Sequence, residues 1–90
     1  MRTSATQSDV LLILYALEQK GYVKAVPSMT LLRMINETRY VADTNFRTSC
    51  HKLVEHELLY KYRLNSQKLA FKLTEQGQKV GIRIYTARQT

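Results

Sequence analysis

The chain has 90 residues, of which 44% are hydrophobic and 23% are charged, and this composition is typical of one folded domain with a single modest core. It excludes a disordered chain, which would have fewer apolar residues. Fourteen lysine and arginine residues against seven acids give a formal charge of +7, which favours a polyanionic partner such as a nucleic acid. We therefore expect residues 1–90 to form one domain with such a partner.

The first predicted element is a helix that begins at Ser4 or Ser8 and ends at about Lys20. The segment from Ser4 to Gln7 matches a capping box, in which two side chains bind free amides at the start of a helix. The helix has apolar residues on more sides than one core-facing stripe requires, so we expect it to contribute to a homodimer contact. The expected core stripe is Val10, Ile13, Leu14 and Leu17, and the further apolar residues are Leu11, Leu12 and Tyr15.

The next segment predicts an extended piece, a second helix and a turn. The extended piece covers residues 22–26 and is ended by Pro27. Ser28 is expected to cap a helix that runs from 29 to about 36, because serine accepts hydrogen bonds from the amides of a first turn. In the turn at 37–43, Arg39 is a candidate phosphate contact, and Asp43 or Thr44 is expected to cap the third helix.

The third helix, at about residues 44–58, has one apolar stripe and a polar, basic remainder. Phe46, Cys50, Leu53 and Val54 recur at spacings of three and four, which places them on one side of a helix. A solvated polar face is the common interpretation of the rest. It also suits a DNA-recognition helix, because short side chains let the helix enter a groove while longer polar ones reach bases and phosphates. The candidate DNA-binding residues here are Thr44, Asn45, Arg47, Thr48, His51 and Lys52.

A β-hairpin is predicted at residues 60–73, because two segments alternate with period two around a short polar turn at 65–67. We expect this hairpin to be apolar on one side and basic on the other. The apolar set is Tyr60, Tyr62, Leu64, Leu69, Phe71 and Leu73, and the other set is Lys61, Arg63, Lys68, Ala70 and Lys72. Lys61, Arg63 and Lys68 are candidate phosphate contacts.

The last segment, residues 78–86, is compatible with a strand or a helix. Val80, Ile82 and Ile84 alternate as in a strand, whereas the spacing from Ile82 to Tyr85 suits a helix. We favour a helix, because Thr74 is a good N-cap and Glu75 suits a first turn. Gly81 is the residue that argues against it.

The order of these segments resembles the winged helix-turn-helix family, and in particular small MarR-like or PadR-like regulators of prokaryotes and phages. The likeness rests on Leu53 in the polar helix, the pair Leu58-Leu59 at its exit, the basic hairpin, and the restart Leu73-Thr74-Glu75-Gln76-Gly77. Glu57 departs from the pattern, since the family usually has glycine there, and glutamate is tolerated if the backbone stays right-handed.

The resemblance implies an α+β fold with a three-helix core, a β-hairpin wing and a C-terminal helix. It also implies a small strand beside the hairpin, before the second helix. In such a fold the third helix enters the major groove, and the wing at residues 60–73 lies on the backbone or in the minor groove.

Enzyme chemistry and cofactors are not expected, because the sequence has no glycine-rich phosphate loop, nucleophile elbow or metal-ligand cluster. The single cysteine, Cys50, excludes an internal disulfide and is expected to be a core residue. His51 and His56 are five residues apart, which does not suit two metal ligands on one helix face. No small-molecule ligand is evident. The apolar run 10–17 is too short to span a bilayer and no signal peptide is present, so we expect a cytoplasmic protein without a membrane partner.

The preferred hypothesis is a sequence-specific regulator of transcription that binds double-stranded DNA as a homodimer and represses by occupancy. One alternative is a winged-helix module for protein interaction, although such uses usually lose the basic clustering seen in this chain. Another is a DNA-binding accessory protein for replication, partition or recombination. The residues do not separate this last alternative from a regulator.

Overall fold

The computed structural model describes residues 3–65 and 67–89, which form four helices and three strands. The elements are α1 (Ala5–Gln19), β1 (Val26–Pro27), α2 (Ser28–Asn36), α3 (Asp43–Glu55), β2 (Leu59–Arg63), β3 (Leu69–Leu73) and α4 (Glu75–Arg88). The strands form one antiparallel sheet in the order β1-β3-β2, and the hairpin β2–β3 is the wing. This arrangement confirms the predicted α+β winged helix-turn-helix fold, including a small strand before α2 and the C-terminal helix α4. The extended piece predicted at 22–26 was placed too early, because β1 includes Pro27 and only Val26 of the predicted range.

Two of the predicted helix caps are present. Ser4 caps α1 in a capping box: its Oγ accepts a hydrogen bond from the Gln7 amide, and Gln7 Oε1 accepts one from the Ser4 amide. Thr74 caps α4, since its Oγ1 accepts from the Gly77 amide at 2.9 Å. Both caps connect residues only three apart, which is why the sequence was sufficient to predict them.

The other two cap predictions were wrong. Ser28 is the first residue of α2, and Pro27 precedes it as the N-cap without a side-chain hydrogen bond. Neither Asp43 nor Thr44 caps α3, because the helix begins at Asp43 after the N-cap Ala42. In each case the residue before the predicted cap already has extended backbone angles, so the helix starts one residue earlier. Asp43 instead places a carboxylate in the first turn, near the positive end of the helix dipole.

Helix α1 is central, and this changes the predicted role of Leu11. The helix packs against α2, α3, β3 and α4, so several of its sides face the protein interior. Val10, Leu11 and Leu14 are buried, while Ile13 and Leu17 are only partly buried against the core. Leu11 is 0% exposed, so its predicted availability for a subunit contact was wrong. The excess of apolar residues on α1 reflects its many neighbours inside one chain.

Helix α3 ends at Glu55, three residues earlier than predicted, and Glu57 follows in a left-handed conformation with φ of 62°. The Leu58 amide donates to the Leu53 carbonyl at 2.9 Å, and the Glu57 amide donates to the Val54 carbonyl at 3.0 Å. These two bonds form a Schellman motif, in which the residue after the cap is usually glycine. The condition under which glutamate was expected to be tolerated, a right-handed backbone at Glu57, is therefore not met.

Residues 78–86 are helical, as favoured from the sequence, because α4 extends through them. Two glycines let α4 lie close to its neighbours. A Cβ atom on Gly77 would overlap the carbonyl oxygen of Leu58, and one on Gly81 would lie 3.0 Å from Cβ of Tyr15 on α1. Gly81 thus permits close packing of α4 on α1 and does not mark a strand. None of the described helices has the length and apolar character of a bilayer-spanning segment.

The two faces of the wing differ from the prediction. The register pairs Lys61 with Phe71 and Tyr62 with Ala70. Residues directly opposite in an antiparallel pair share a face, so Lys61 lies on the face of the buried Phe71. The predicted division into an apolar side and a basic side was therefore wrong, because each strand alternates as expected but the two alternations pair out of phase.

Candidate nucleic-acid interface

The candidate DNA-binding residues of α3 lie together on its exposed sides. The buried side of this helix carries Phe46, Cys50 and Leu53, as the periodicity predicted, with Ser49 beside them. The predicted site residues are the exposed Thr44, Asn45, Arg47, Thr48, His51 and Lys52. The first two turns therefore present short polar groups and one arginine to the surroundings, and the third turn adds an imidazole and an ammonium group.

Arg47 is held on the surface of α3 by a neighbour one turn away. Its Nη2 lies 3.1 Å from Oδ2 of Asp43, and both side chains are more than half exposed. An exposed pair of this kind contributes only about 0.3–0.5 kcal/mol, because water screens the attraction. A DNA phosphate or a guanine edge can therefore replace Asp43 as the partner of Arg47 at little cost.

Asn45 contacts its own protein in this structure. Its Nδ2 lies 3.4 Å from Thr6 Oγ1 on α1, and its Oδ1 lies 3.5 Å from Ser49 Oγ one turn later on α3. These long hydrogen bonds orient the carboxamide along the contact between α3 and α1. The base contact predicted for Asn45 stays a prediction, and it requires the amide to leave or share these partners.

Arg39 is also engaged within the chain. Its Nε donates to Oδ2 of Asp9 at 2.8 Å, and its Nη2 lies 3.4 Å from Thr6 Oγ1. Asp9 lies within α1, away from its ends, and binds a side chain of the turn between α2 and α3. The partners are 30 residues apart, so no local sequence pattern could predict this contact.

The wing carries the remaining predicted contacts. Lys61, Arg63 and Lys68 are exposed. The register places Lys61 opposite Phe71 and Arg63 opposite Leu69, so both basic side chains lie on the sheet face that carries core residues. β2 also contacts α3 directly. Lys61 and Arg63 therefore lie on the same face of the sheet as the core residues, but at exposed positions outside the core.

The opposite face of the wing is aromatic, which the sequence prediction did not separate from the core. Tyr60 and Tyr62 are 52% and 45% exposed, and their ring centroids are 6.3 Å apart. Lys72 lies opposite Tyr60 and reaches Glu18 of α1 at 4.0 Å. These tyrosines were predicted to be part of the apolar side, and only the strand register shows that they face away from Phe71.

Two further exposed residues lie on the elements that precede α3. Arg33 is exposed on α2, and Tyr40 in the turn is 80% exposed. Arg33 was absent from the predicted site. The sequence could have predicted that Arg33 is exposed, since it follows the buried Leu31 and Leu32 and precedes the buried Ile35 on an amphipathic helix.

The charges are distributed unevenly over this surface. Asp9 pairs with Arg39 and Arg88, Glu18 lies near Lys72, and Asp43 pairs with Arg47. Within residues 3–65 and 67–89, four of the six lysine and arginine residues predicted as contacts form no salt bridge: Lys52, Lys61, Arg63 and Lys68. Unneutralised lysine and arginine side chains on α3 and the wing favour binding of a polyanion to this side of the molecule.

Cys50 takes no part in this surface. The residue is buried in the core, and burial raises the pKa of its thiol to about 12. A thiol of that kind stays protonated and unreactive at neutral pH. Across the described part of the chain, no group of three or more histidine, cysteine, aspartate or glutamate side chains is arranged to hold a metal ion.

No protein-family model and no curated protein matches the sequence. Solved structures share its fold. SSV1 F-93 is 16% identical with a TM-score of 0.73, and the match covers 98% of this chain and 93% of that one. The adhesin competence repressor AdcR from Streptococcus pyogenes is 16% identical with a TM-score of 0.75, over 98% of this chain and 59% of AdcR.

A third structure, MepR, is a transcription regulator of the Staphylococcus aureus multidrug efflux pump MepA. It is 18% identical with a TM-score of 0.72, and the match covers 94% of this chain and 57% of MepR. The chain thus spans most of F-93 but little more than half of AdcR and MepR. At these identities the likeness establishes the fold, and the chain has the winged helix-turn-helix fold that these proteins share.

Proposed function

We propose that this protein is a sequence-specific regulator of transcription that binds double-stranded DNA. The observation that carries the proposal is the polar and basic surface of α3, continued by Lys61 and Arg63 of the wing, which form no salt bridge with any described residue. A surface of this composition, on a helix whose opposite side is buried, provides base-reading groups beside phosphate-binding groups. The fold shared with AdcR and MepR supports a role in transcription.

In the proposed complex, α3 enters the major groove and the wing lies on the backbone or in the adjacent minor groove. Thr44, Thr48 and His51 face the bases or nearby phosphates, and Arg47 pairs with a guanine edge. Lys52 and the wing residues Lys61, Arg63 and Lys68 bind phosphates. Repression follows from occupancy, because a protein bound over a promoter excludes other proteins from that DNA.

We propose further that the protein acts as a homodimer, with α4 as the main contact surface. Ile82 and Tyr85 are 47% and 42% exposed and lie one turn apart on α4. Tyr85 packs on Tyr15 of α1, with ring centroids 5.6 Å apart, so the surface includes part of α1. A twofold axis through this surface would present two recognition helices to successive major grooves, about 34–36 Å apart.

Selection of binding sites from random duplexes tests the main proposal. We expect one enriched inverted repeat, bound with a strong dependence on salt. If each monomer neutralises about four to six phosphates, the logarithm of the affinity falls with the logarithm of salt concentration with a slope of roughly −4 to −5 per monomer. A slope near zero would remove the nucleic-acid role. Tight binding without enrichment would support a DNA-binding accessory protein instead.

Substitutions then separate base contacts from phosphate contacts. Arg47→Ala should weaken binding to the selected site by about 1–3 kcal/mol, with little change on random DNA, if Arg47 is bidentate to a guanine. Lys61→Ala removes the same charge from the wing and should weaken both duplexes about equally. Equal losses on both duplexes for both variants would make Arg47 a phosphate contact.

A further inference from the structure

A single carboxylate on α1 joins the helix-turn-helix to the end of α4. The Asp9 side chain is 14% exposed. Its Oδ2 accepts a hydrogen bond from Arg39 Nε at 2.8 Å, and its Oδ1 accepts one from Arg88 Nη2 at 3.2 Å. Arg39 belongs to the turn between α2 and α3, and Arg88 to the last turn of α4. Each oxygen of one acid therefore binds a different distant element.

This carboxylate is better shielded than the other acid beside the candidate interface. Asp43, which pairs with Arg47, is 56% exposed, whereas Asp9 is 14% exposed. Solvent and salt screen the attraction of Asp9 for its partners less, because less water reaches its oxygens. The two guanidinium groups remain about half exposed, so they stabilise Asp9 while presenting their outer edges to solvent.

The same region of α1 also contacts the start of α3. The Thr6 side chain is buried, and its Oγ1 lies 3.4 Å from both Arg39 Nη2 and Asn45 Nδ2. Asn45 is the third residue of α3. The turn and the first turn of the recognition helix therefore meet on one hydroxyl group, one helical turn before Asp9.

Other contacts of this turn are local, such as the hydrogen bond that Thr38 Oγ1 donates to the Ile35 carbonyl at 3.0 Å. Tyr40 is 80% exposed, and α3 begins at Asp43 after Ala42, an N-cap without a side-chain hydrogen bond. Val41 is buried, and its amide donates to Asn36 Oδ1 at 2.8 Å. This anchor and the contacts of Arg39 to α1 act together with the buried Phe46 and the contact of Asn45 to Thr6 in orienting the first two turns of α3.

We propose that Asp9 is a positioning residue for DNA recognition. Through Arg39 it fixes the turn before α3, and through Arg88 it links that turn to the C-terminal end of α4. The proposal rests on the proposed DNA-binding function and changes the role of Arg39 from a phosphate contact to a positioning residue. Base readout requires side chains placed to fractions of an ångström, whereas attraction to phosphates tolerates displacement. Loss of Asp9 should therefore reduce sequence discrimination more than general affinity.

The positioning role can be measured without DNA by amide hydrogen exchange. Asp9→Asn and Arg39→Gln should each speed exchange at residues 37–47, and the double variant should be no faster than either single one, because both remove the same contact. Glu75→Gln is the matched control, since it removes one carboxylate from an exposed position on α4. Unchanged exchange at 37–47 in Asp9→Asn would overturn the proposal.

The effect on recognition is measured as the ratio of affinities for the selected site and a random duplex. Asp9→Asn should lower this ratio about three- to tenfold relative to Glu75→Gln, while the two variants bind random DNA equally. A parallel loss on both duplexes together with a lower melting temperature indicates general destabilisation and overturns the positioning role. So does an unchanged ratio. If the wild type selects no sequence, the proposed function fails, and hydrogen exchange still decides whether Asp9 positions the turn.

Discussion

Replacing Glu57 by glycine should stabilise the protein. The backbone at Glu57 has φ of 62°, where a side chain costs about 1–2 kcal/mol through contact of Cβ with the following carbonyl. Glycine removes that cost but makes the unfolded chain more flexible, which offsets about 0.4–1 kcal/mol. The net gain is about 0.5–1 kcal/mol. The hydrogen bond from Thr74 Oγ1 to the Glu57 carbonyl, at 2.6 Å, uses the backbone and is retained in the variant.

Thermal unfolding followed by circular dichroism measures the change. A domain of this size shifts its melting temperature by about 4–8 °C per kcal/mol, so Glu57→Gly should melt roughly 2–8 °C higher than the wild type. Glu55→Gly is the matched control, because it makes the same substitution at the exposed last residue of α3. There the backbone is helical, and glycine should cost up to about 1 kcal/mol, the value for a helix interior. Both variants lose one carboxylate, so the change in net charge cancels in the comparison.

Whether the two substitutions change the melting temperature in opposite directions tests the left-handed conformation of Glu57. If Glu57→Gly and Glu55→Gly lower the melting temperature by similar amounts, Glu57 is not left-handed in solution and the Schellman motif is wrong. If Glu57→Gly raises the melting temperature and Glu55→Gly lowers it, the strain at the end of the recognition helix is real.

Three further outcomes follow from the packing. Gly77→Ala should destabilise the fold despite the higher helix propensity of alanine, because the new Cβ overlaps the Leu58 carbonyl, and urea unfolding at an unchanged or higher midpoint would contradict this. Cys50 should react with a thiol reagent only after unfolding, and rapid labelling of the native protein would contradict its burial. The pKa of its thiol is about 12 in the folded protein and 9.0 ordinarily, so the free energy of unfolding should fall as pH rises from about 9. Ile82→Glu should convert the proposed dimer to a folded monomer in sedimentation at micromolar concentration, and a monomeric wild type would refute the proposal of a dimer.

Local patterns determined most of the elements. The capping box at Ser4 and the cap at Thr74 join residues three apart, so the sequence alone specifies both partners. The stripe of Phe46, Cys50 and Leu53 follows the helical period, and it therefore predicted which side of α3 is buried and which is exposed. The choice of helix for residues 78–86 was correct for the same reason, since the cap at its start outweighed the glycine inside it.

Pairing between strands could not be obtained in this way. Each strand of the wing alternates as predicted, but a shift of one residue in their pairing exchanges the faces of all side chains on one strand. The register that pairs Lys61 with Phe71 is the one in which β3 keeps Phe71 and Leu73 in the core. Similarly, Glu57 is left-handed because the chain must turn from α3 so that the Leu58 amide reaches the Leu53 carbonyl.

The sequence by itself determined most of the helices and strands, the basic character of the chain and the exposed positions of the candidate DNA contacts, because periodicity and caps act within a few residues. The winged helix-turn-helix fold was expected because the order of these elements resembles that family. Only the tertiary structure decided which of those contacts are free. Arg39 is bound to Asp9, which lies 30 residues away, whereas Lys61 has no acidic partner among the described residues. Attraction between charges depends on their distance in space, and the number of residues between them along the chain does not determine that distance.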